Sequence, residues 1–314
     1  MARFLLRVLI FIYPLIFISC AGPLLPEDPF YLKESKDALG RANYWYLRGC
    51  YQEAERYYAL ALEQARLADN VSIIVMALNG RGTVLLAKGS LSEAAVLLER
   101  AIELSQSQAD RPGLDGVWGN LGLLAFKAGR VDDARDFWQK AAEEARLGQR
   151  SNLIYLCNLA RLEMKSGDEA KWKQLTAQAM EEASKEGAIE RDKADAYNLN
   201  ALLALKEGRR DEAESWLKMA LELDRKNENQ FGLANDLEAL GSLEKQNEQN
   251  ERAAASFDRA FYLFAALGDR EAQKRILKEL EALNSQSGFP KSLTTYRQVM
   301  AKPNLFDPIN RQCP

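Results

Sequence analysis

Gly49, Gly89 and Gly129 stand 40 residues apart, and each is followed by alanine five residues on (Ala54, Ala94, Ala134) and again seven later (Ala61, Ala101, Ala141). A chain that repeats itself at a fixed period of this size folds as an array. Each unit is one supersecondary piece that cannot bury its apolar side alone and does so by stacking on copies of itself. No other feature of the 314 residues constrains the fold as strongly.

The unit reads as a helical run, a glycine turn, an acidic residue just before an alanine, a bulky apolar residue and alanine again. Gly49 opens GCYQEAERYYALAL, Gly89 GSLSEAAVLLERAI, Gly129 GRVDDARDFWQKAA and Gly208 GRRDEAESWLKMAL. Two further copies are degraded. The one from Gly167 reads as shortened by about two residues, with Ala170 as its first alanine, and the sixth has Glu248 in the place of the turn glycine. Ala213 to Ala253 and Ala220 to Ala260 are again 40 apart, which gives six repeats. Turn residues at Asp69-Asn70, Asp110-Arg111-Pro112-Gly113, Gly148, Gly187 and Gly268-Asp269 mark where one unit hands over to the next. Behind the last, Ile276, Leu277, Leu280 and Leu283 share one face of a charged segment, as a terminal cap requires.

These residues resemble the tetratricopeptide family, whose pattern is W-x2-L-G-x2-Y followed by A-x3-F. The third copy carries it most fully, with Trp118, Leu121 and Gly122 and then Ala134 and Trp138. At the place of Gly122 the other copies hold Ala42, Gly82, Ala160, Ala201 and Gly241, small residues that let the two helices of a hairpin cross closely. The resemblance implies an all-α, right-handed TPR-like α-solenoid of about six helical hairpins plus a C-terminal capping helix over residues 31–284. The 40-residue period is similar to that of spindle-orientation adaptor scaffolds, and it predicts that each helix gains most of a turn.

The first 20 residues follow another logic. Arg3 and Arg7 precede an unbroken apolar stretch from Val8 to Ile18 that ends at Ser19-Cys20. Too short for a comfortable span and positively charged at its start, this reads as a secretion signal over 1–19. Phe17-Ile18-Ser19-Cys20 resembles a bacterial lipobox, which implies cleavage before Cys20 and lipid on that cysteine; an ordinary signal peptide or an uncleaved anchor are the alternatives. Ala21 behind it implies, by the same resemblance, an outer-membrane location facing the periplasm. Residues 20–30, with Pro23, Pro26 and Pro29, read as a stiff membrane-proximal linker.

Composition removes several classes of function. The chain has no histidine, hence lacks the commonest general base, proton shuttle and metal ligand. No phosphate-binding glycine loop, G-x-S-x-G or paired-cysteine motif occurs, so we expect no catalytic residues, no metal and no cofactor. Without residues 1–19 the chain keeps 40 basic against 45 acidic residues, a net of about −5 with no basic cluster, which argues against nucleic acid. Cys157 reads as a core residue; Cys50 and Cys313 read equally as a bridged pair or as separate thiols. The carboxylates Glu53, Glu93, Asp133 and Glu212 recur in the first turn of the second helices, where the helix dipole favours them.

In the tetratricopeptide fold the first helices line the concave face. That placement puts Asn43, Asn79, Asn120, Asn158, Arg161 and Asn198 in the groove, and an amide that both donates and accepts suits the backbone of an extended peptide. A stripe of Tyr46, Leu86, Phe126, Met164 and Leu205 reads as hairpin core or as an apolar binding surface. The tail, residues 285–314, reads as disordered or as a segment folded back into the groove on Phe289, Tyr296 and Phe306. The expected function is a lipid-anchored scaffold for protein or peptide partners in envelope assembly, similar to pilotin lipoproteins or the repeat lipoprotein of the barrel-assembly machine. A regulatory subunit for a peptidoglycan enzyme is the nearest rival, and an enzyme in its own right the more distant one.

Overall fold

The computed structural model describes residues 28–287 and 293–301, and among them every regular element is a helix. Six antiparallel hairpins follow one another: α1 (Phe30–Leu47) with α2 (Tyr51–Leu67), α3 (Val71–Lys88) with α4 (Leu91–Gln106), α5 (Leu114–Lys127) with α6 (Val131–Leu147), α7 (Leu153–Ser166) with α8 (Glu169–Ser184), α9 (Glu190–Lys206) with α10 (Arg210–Lys226), and α11 (Gln230–Gln246) with α12 (Asn250–Leu267). The helix α13 (Arg270–Ser287) closes the stack, and α14 (Leu293–Ala301) lies against α13. The chain therefore folds as an all-α, tetratricopeptide-like solenoid.

One backbone device makes nearly every turn. Inside the hairpins, the amide two or three residues past the helix reaches back to a carbonyl of the last turn: Ser90 N to Leu85 O at 2.9 Å, Arg130 N to Ala125 O at 2.9 Å, Arg209 N to Ala204 O at 2.8 Å. Between hairpins the same closure recurs, as in Asn70 N to Ala65 O at 2.9 Å and Asn229 N to Asp224 O at 2.9 Å. Such a closure needs one left-handed residue to reverse the chain. Gly89, Gly129 and Gly208 supply it at φ 81°, 75° and 76°, while Asp69, Gln149, Glu228 and Glu248 are held there at φ 50° to 59° without being glycine. At Gly148 the expected handover occurs, but Gln149 and not the glycine takes the positive φ.

Packing divides the stack into two layers. First helices touch first helices, α1 on α3, α3 on α5, α7 on α9 and α9 on α11. The more closely spaced layer of a curved stack is the inner one, so the first helices line the concave side and the second helices cover them outside. Consistent with that, α3 is long and apolar enough by composition to cross a membrane, yet half of it is buried as the core helix of hairpin two. At the crossings Ala42, Ala160 and Ala201 are fully buried, and a Cβ on Gly82, Gly122 or Gly241 would meet Leu98, Trp138 or Phe257 within 2.8 Å.

Hairpin four corrects the sequence reading. Ala170 is exposed, and the fifth residue after Gly167 is Trp172, 4% exposed, in the place that Ala134 holds in hairpin three. Nothing has been deleted. Large and small have exchanged places, because Thr176, fully buried, stands where Trp138 does. Total core volume is kept, which packing tolerates, but Trp172 Nε1 and Thr176 Oγ1 are left buried without hydrogen-bond partners.

At the C-terminal end Ile276, Leu280 and Leu283 are buried as a cap predicts, against Phe257, Phe261 and Phe264 of α12. The tail adds α14, whose Tyr296 packs edge-on to Phe261 at 5.0 Å and donates to Asp258 Oδ1 at 2.8 Å. This seals the end of the core on α12 and α13 and sets Tyr296 apart from the concave layer. Phe289 and Phe306 lie outside the described residues, as do Cys313, Cys20 and the whole of 1–19.

Candidate concave binding face

The predicted column of amides is brought together in pairs. Asn120 on α5 donates through Nδ2 to Asn79 Oδ1 at 2.8 Å and to Thr83 Oγ1 at 2.7 Å, both on α3. Asn198 on α9 donates to Asp236 Oδ1 on α11 at 2.8 Å. Asn43 accepts from the Tyr58 hydroxyl at 2.5 Å, within its own hairpin. Arg161 on α7 grips Asp195 on α9 with both terminal nitrogens, at 2.7 and 3.0 Å. Asn158 makes no side-chain hydrogen bond among the described residues. Five of the six candidates thus bridge helices, and four of those five bridge one hairpin to the next.

Bridging uses part of each amide and leaves the rest. Asn79 and Asn43 are engaged through oxygen and keep their Nδ2 donors, while Asn120 is engaged through nitrogen and keeps its oxygen as acceptor. The row is fixed in orientation by its own contacts, and fixed donors and acceptors bind without losing further side-chain freedom. Gly116 keeps α5 close here, since a Cβ on it would lie 3.1 Å from Asn79 Nδ2.

Charge dominates the later hairpins, and sequence reasoning missed most of it. Asp224 and Asp236 are 2% and 1% exposed, and Asp192 is 4% exposed. Asn229 Nδ2 donates to Asp224 Oδ1 at 2.8 Å, and Gly232 makes the room, because a Cβ there would come within 1.9 Å of Asp224 Oδ2. Burial raises both carboxyls of the Asp224–Asp236 pair far above the usual range, with Asp224 further opposing the ionisation of Asp236 and Asp195 opposing that of both. Asp236 Oδ2 is buried with no hydrogen-bond partner. Burial likewise raises Asp192, with Arg191 opposing. The signal available beforehand was Asp236 inside the first-helix segment LANDLEAL; Asp192 and Asp224 sit in the charged stretches ERDKAD and LELDRK and stood out from nothing around them.

Cations complete the inner face. Lys165, at the end of α7, lies 4.5 Å over the Phe126 ring, and desolvation and then the Arg275 guanidinium hold its ammonium below the ordinary value. Arg275 on α13 is held bidentately by Glu238 on α11 at 2.6 and 2.7 Å. Of the apolar stripe, Leu86 and Leu205 are buried, while Tyr46, Phe126 and Met164 are partly buried and packed on core clusters. Cys157 is a free thiol, fully buried among Leu153, Ala160 and Trp172. The recurring carboxylates sit in first turns as the dipole argument places them, Glu53 paired with Arg56 at 2.8 Å and Asp133 with Arg130 at 3.0 Å. Among the described residues no three of Cys, Asp and Glu are grouped as a metal would need.

A tetratricopeptide-repeat model matches residues 194–227, which run from within α9 to the end of α10. No curated protein sequence matches the chain. Among solved structures it is similar to a chain of the APC/C hetero-tetramer Cut9-Hcn1, with a TM-score of 0.57 and 13% identity over 89% of this chain and 56% of that one. It is similar also to the apo form of the quorum sensor NprR from B. thuringiensis, with a TM-score of 0.53 and 13% identity over 86% of this chain and 87% of that one. BtubC from P. vanneervenii gives 0.49 and 18% identity over 77% of this chain and 93% of that one. At such identities the likeness to Cut9-Hcn1 and NprR is one of fold, and with the helical hairpins and the matched repeat it makes the chain a tetratricopeptide-type α-solenoid.

Proposed function

We propose that the chain is a non-enzymatic scaffold whose concave face holds a protein or peptide partner. The observation that carries this is the row of bridged amides at Asn43, Asn79 and Asn120, each with one unengaged donor or acceptor at a fixed position on the inner layer. Groups so placed suit an extended backbone, which offers donors and acceptors whatever its side chains. The charged stretch from Arg161 to Arg275 then supplies selectivity for the partner's own charges.

The leader favours a bacterial outer-membrane location facing the periplasm, with lipid on Cys20. Each buried methylene adds about 0.8 kcal/mol and stable anchoring takes at least two chains, so lipid on the sulfur and the amine holds the scaffold at the bilayer. Cell-envelope assembly is the role such a tethered peptide holder fits.

In-cell crosslinking followed by mass spectrometry identifies the partner. Asn120→Ala together with Asn158→Ala is expected to abolish its capture; retained capture moves the binding surface elsewhere. Cys20→Ser is expected to release the protein from membranes and to abolish incorporation of labelled fatty acid.

A further inference from the structure

Two aspartates face each other inside the joint between hairpins five and six. Asp224 lies in the last turn of α10, and Asp236 lies in α11, one helical turn beyond Gly232. Each accepts a hydrogen bond at 2.8 Å, Asp224 from Asn229, whose own oxygen caps α11, and Asp236 from Asn198 on α9. The pair therefore ties α9, α10 and α11 together across two hairpins. Gly232 permits the close approach, since a Cβ there would collide with Asp224 Oδ2.

The joint lacks a positive charge to offset two buried carboxylates. Asp195 on α9 and Arg161 on α7 are the charged groups that act on both acids. Arg161 is held by Asp195 at 2.7 and 3.0 Å and pairs with neither of them. The two carboxyls stand within hydrogen-bond reach of each other. Yet Asp236 Oδ2, in a residue 1% exposed, has no hydrogen-bond partner. Ionised carboxylates only accept, so two of them leave that oxygen unsatisfied beside a like charge. One proton on it makes a donor, and Asp224 is the acceptor at hand.

We propose that Asp236 carries a proton on Oδ2 and donates that O–H to Asp224, and that this proton fastens hairpin six to hairpin five. When solvent base removes it, two like charges face each other in a buried interface, and the α10–α11 turn loosens. Burial raises both acids far above their unfolded values, so the folded joint keeps its proton where the unfolded chain has lost it. The joint is closed in acid and comes undone as pH rises through about 7 to 8. Because α9 and α11 line the concave face, the hold on a partner slackens with it. That last step rests on the concave face being the binding surface; the titration of the joint does not.

The test uses the full chain with no partner present, compared at pH ~6 and pH ~9. Infrared spectroscopy is expected to show the carbonyl stretch of a protonated carboxyl at the lower pH, lost at the higher one and weaker in Asp236→Asn. Amide exchange at residues 227–232, corrected for the intrinsic effect of pH, is expected to rise several-fold between the two in the parent. It is expected to stay level in Asp236→Asn, whose amide donates without titrating. A parent with no protonated band at the lower pH, or with equal exchange at both, would overturn the proposal, as would a variant as pH-sensitive as the parent. Should Asp236→Asn lower the helix content, Asp224→Asn makes the same comparison, since it too leaves one donor between the pair. Because no partner takes part, crosslinks that map outside the groove would overturn the functional reading and leave these measurements intact.

Discussion

Gly122→Ala puts a methyl group where there is no room for one. The new Cβ would lie 2.4 Å from Trp138 Nε1 and 2.5 Å from Cδ1. The indole cannot swing aside, because Trp138 is 2% exposed and its Nε1 donates to Gly119 O at 2.9 Å. Overpacking of a tight core costs roughly 1 to 3 kcal/mol, and losing the indole hydrogen bond about 1 more. Replacing a mid-helix glycine by alanine returns about 1 kcal/mol. The expected net loss is about 2 kcal/mol. Gly82→Ala occupies the equivalent place and meets Leu98, with Cδ2 at 2.8 Å and Cγ at 3.0 Å, a buried side chain that is smaller than an indole and has no hydrogen bond to lose. There the helix gain balances a small repacking, and stability should stay within about 0.5 kcal/mol of the parent. Urea unfolding followed by circular dichroism measures both, and amide exchange in α5 and α6 localises the effect, since a solenoid need not unfold in one step. A Gly122→Ala protein as stable as the parent, or a Gly82→Ala protein equally damaged, would refute the argument that these crossings differ by what faces them.

Three further expectations follow from the geometry. Glu248→Gly should stabilise by about 0.5 to 1 kcal/mol in thermal unfolding, because Glu248 is held at φ 59° where a side chain is strained. Arg161→Ala strands Asp195 and should destabilise by about 2 kcal/mol in urea unfolding, with Asp195→Asn restoring part of it in a double-mutant cycle. For the Asp224–Asp236 pair, burial raises the folded values to about 7 and about 8, above those of the unfolded chain. The folded state therefore holds protons that the unfolded state has released; this contribution is present below pH ~4 and is lost as pH rises through 7 to 8. The pair faces Asn198, Asn229, Asp195 and Arg161. Asp236→Asn should flatten the fall in stability between pH 5 and 9, as read by denaturant midpoints across that range.

Period, hairpin count and the crossing residues were legible in the chain itself, because each is a local requirement repeated at a fixed spacing. A tight turn demands a left-handed residue five places before a buried position, and a close crossing demands a small side chain. Both leave their mark on sequence six times over. Even the exception, Glu248, was legible as a substitution at a known place. What misled was hairpin four. There Trp172 and Thr176 exchange the large and small places, and volume is a property of two positions together that no single position shows.

Contacts between units lay beyond reach for the same reason. That Asn120 would turn to Asn79 and Thr83, that Arg161 would meet Asp195, and that two aspartates from α10 and α11 would be buried together depends on which faces neighbouring hairpins present. The ion pair of Arg48, in the turn between α1 and α2, with Glu228, in the turn between α10 and α11, depends on more, the summed rotation of every unit between them. A repeat determines its own hairpin through local sterics and apolar burial. Curvature accumulates from small angles at each interface, so only the assembled stack decides where the ends arrive.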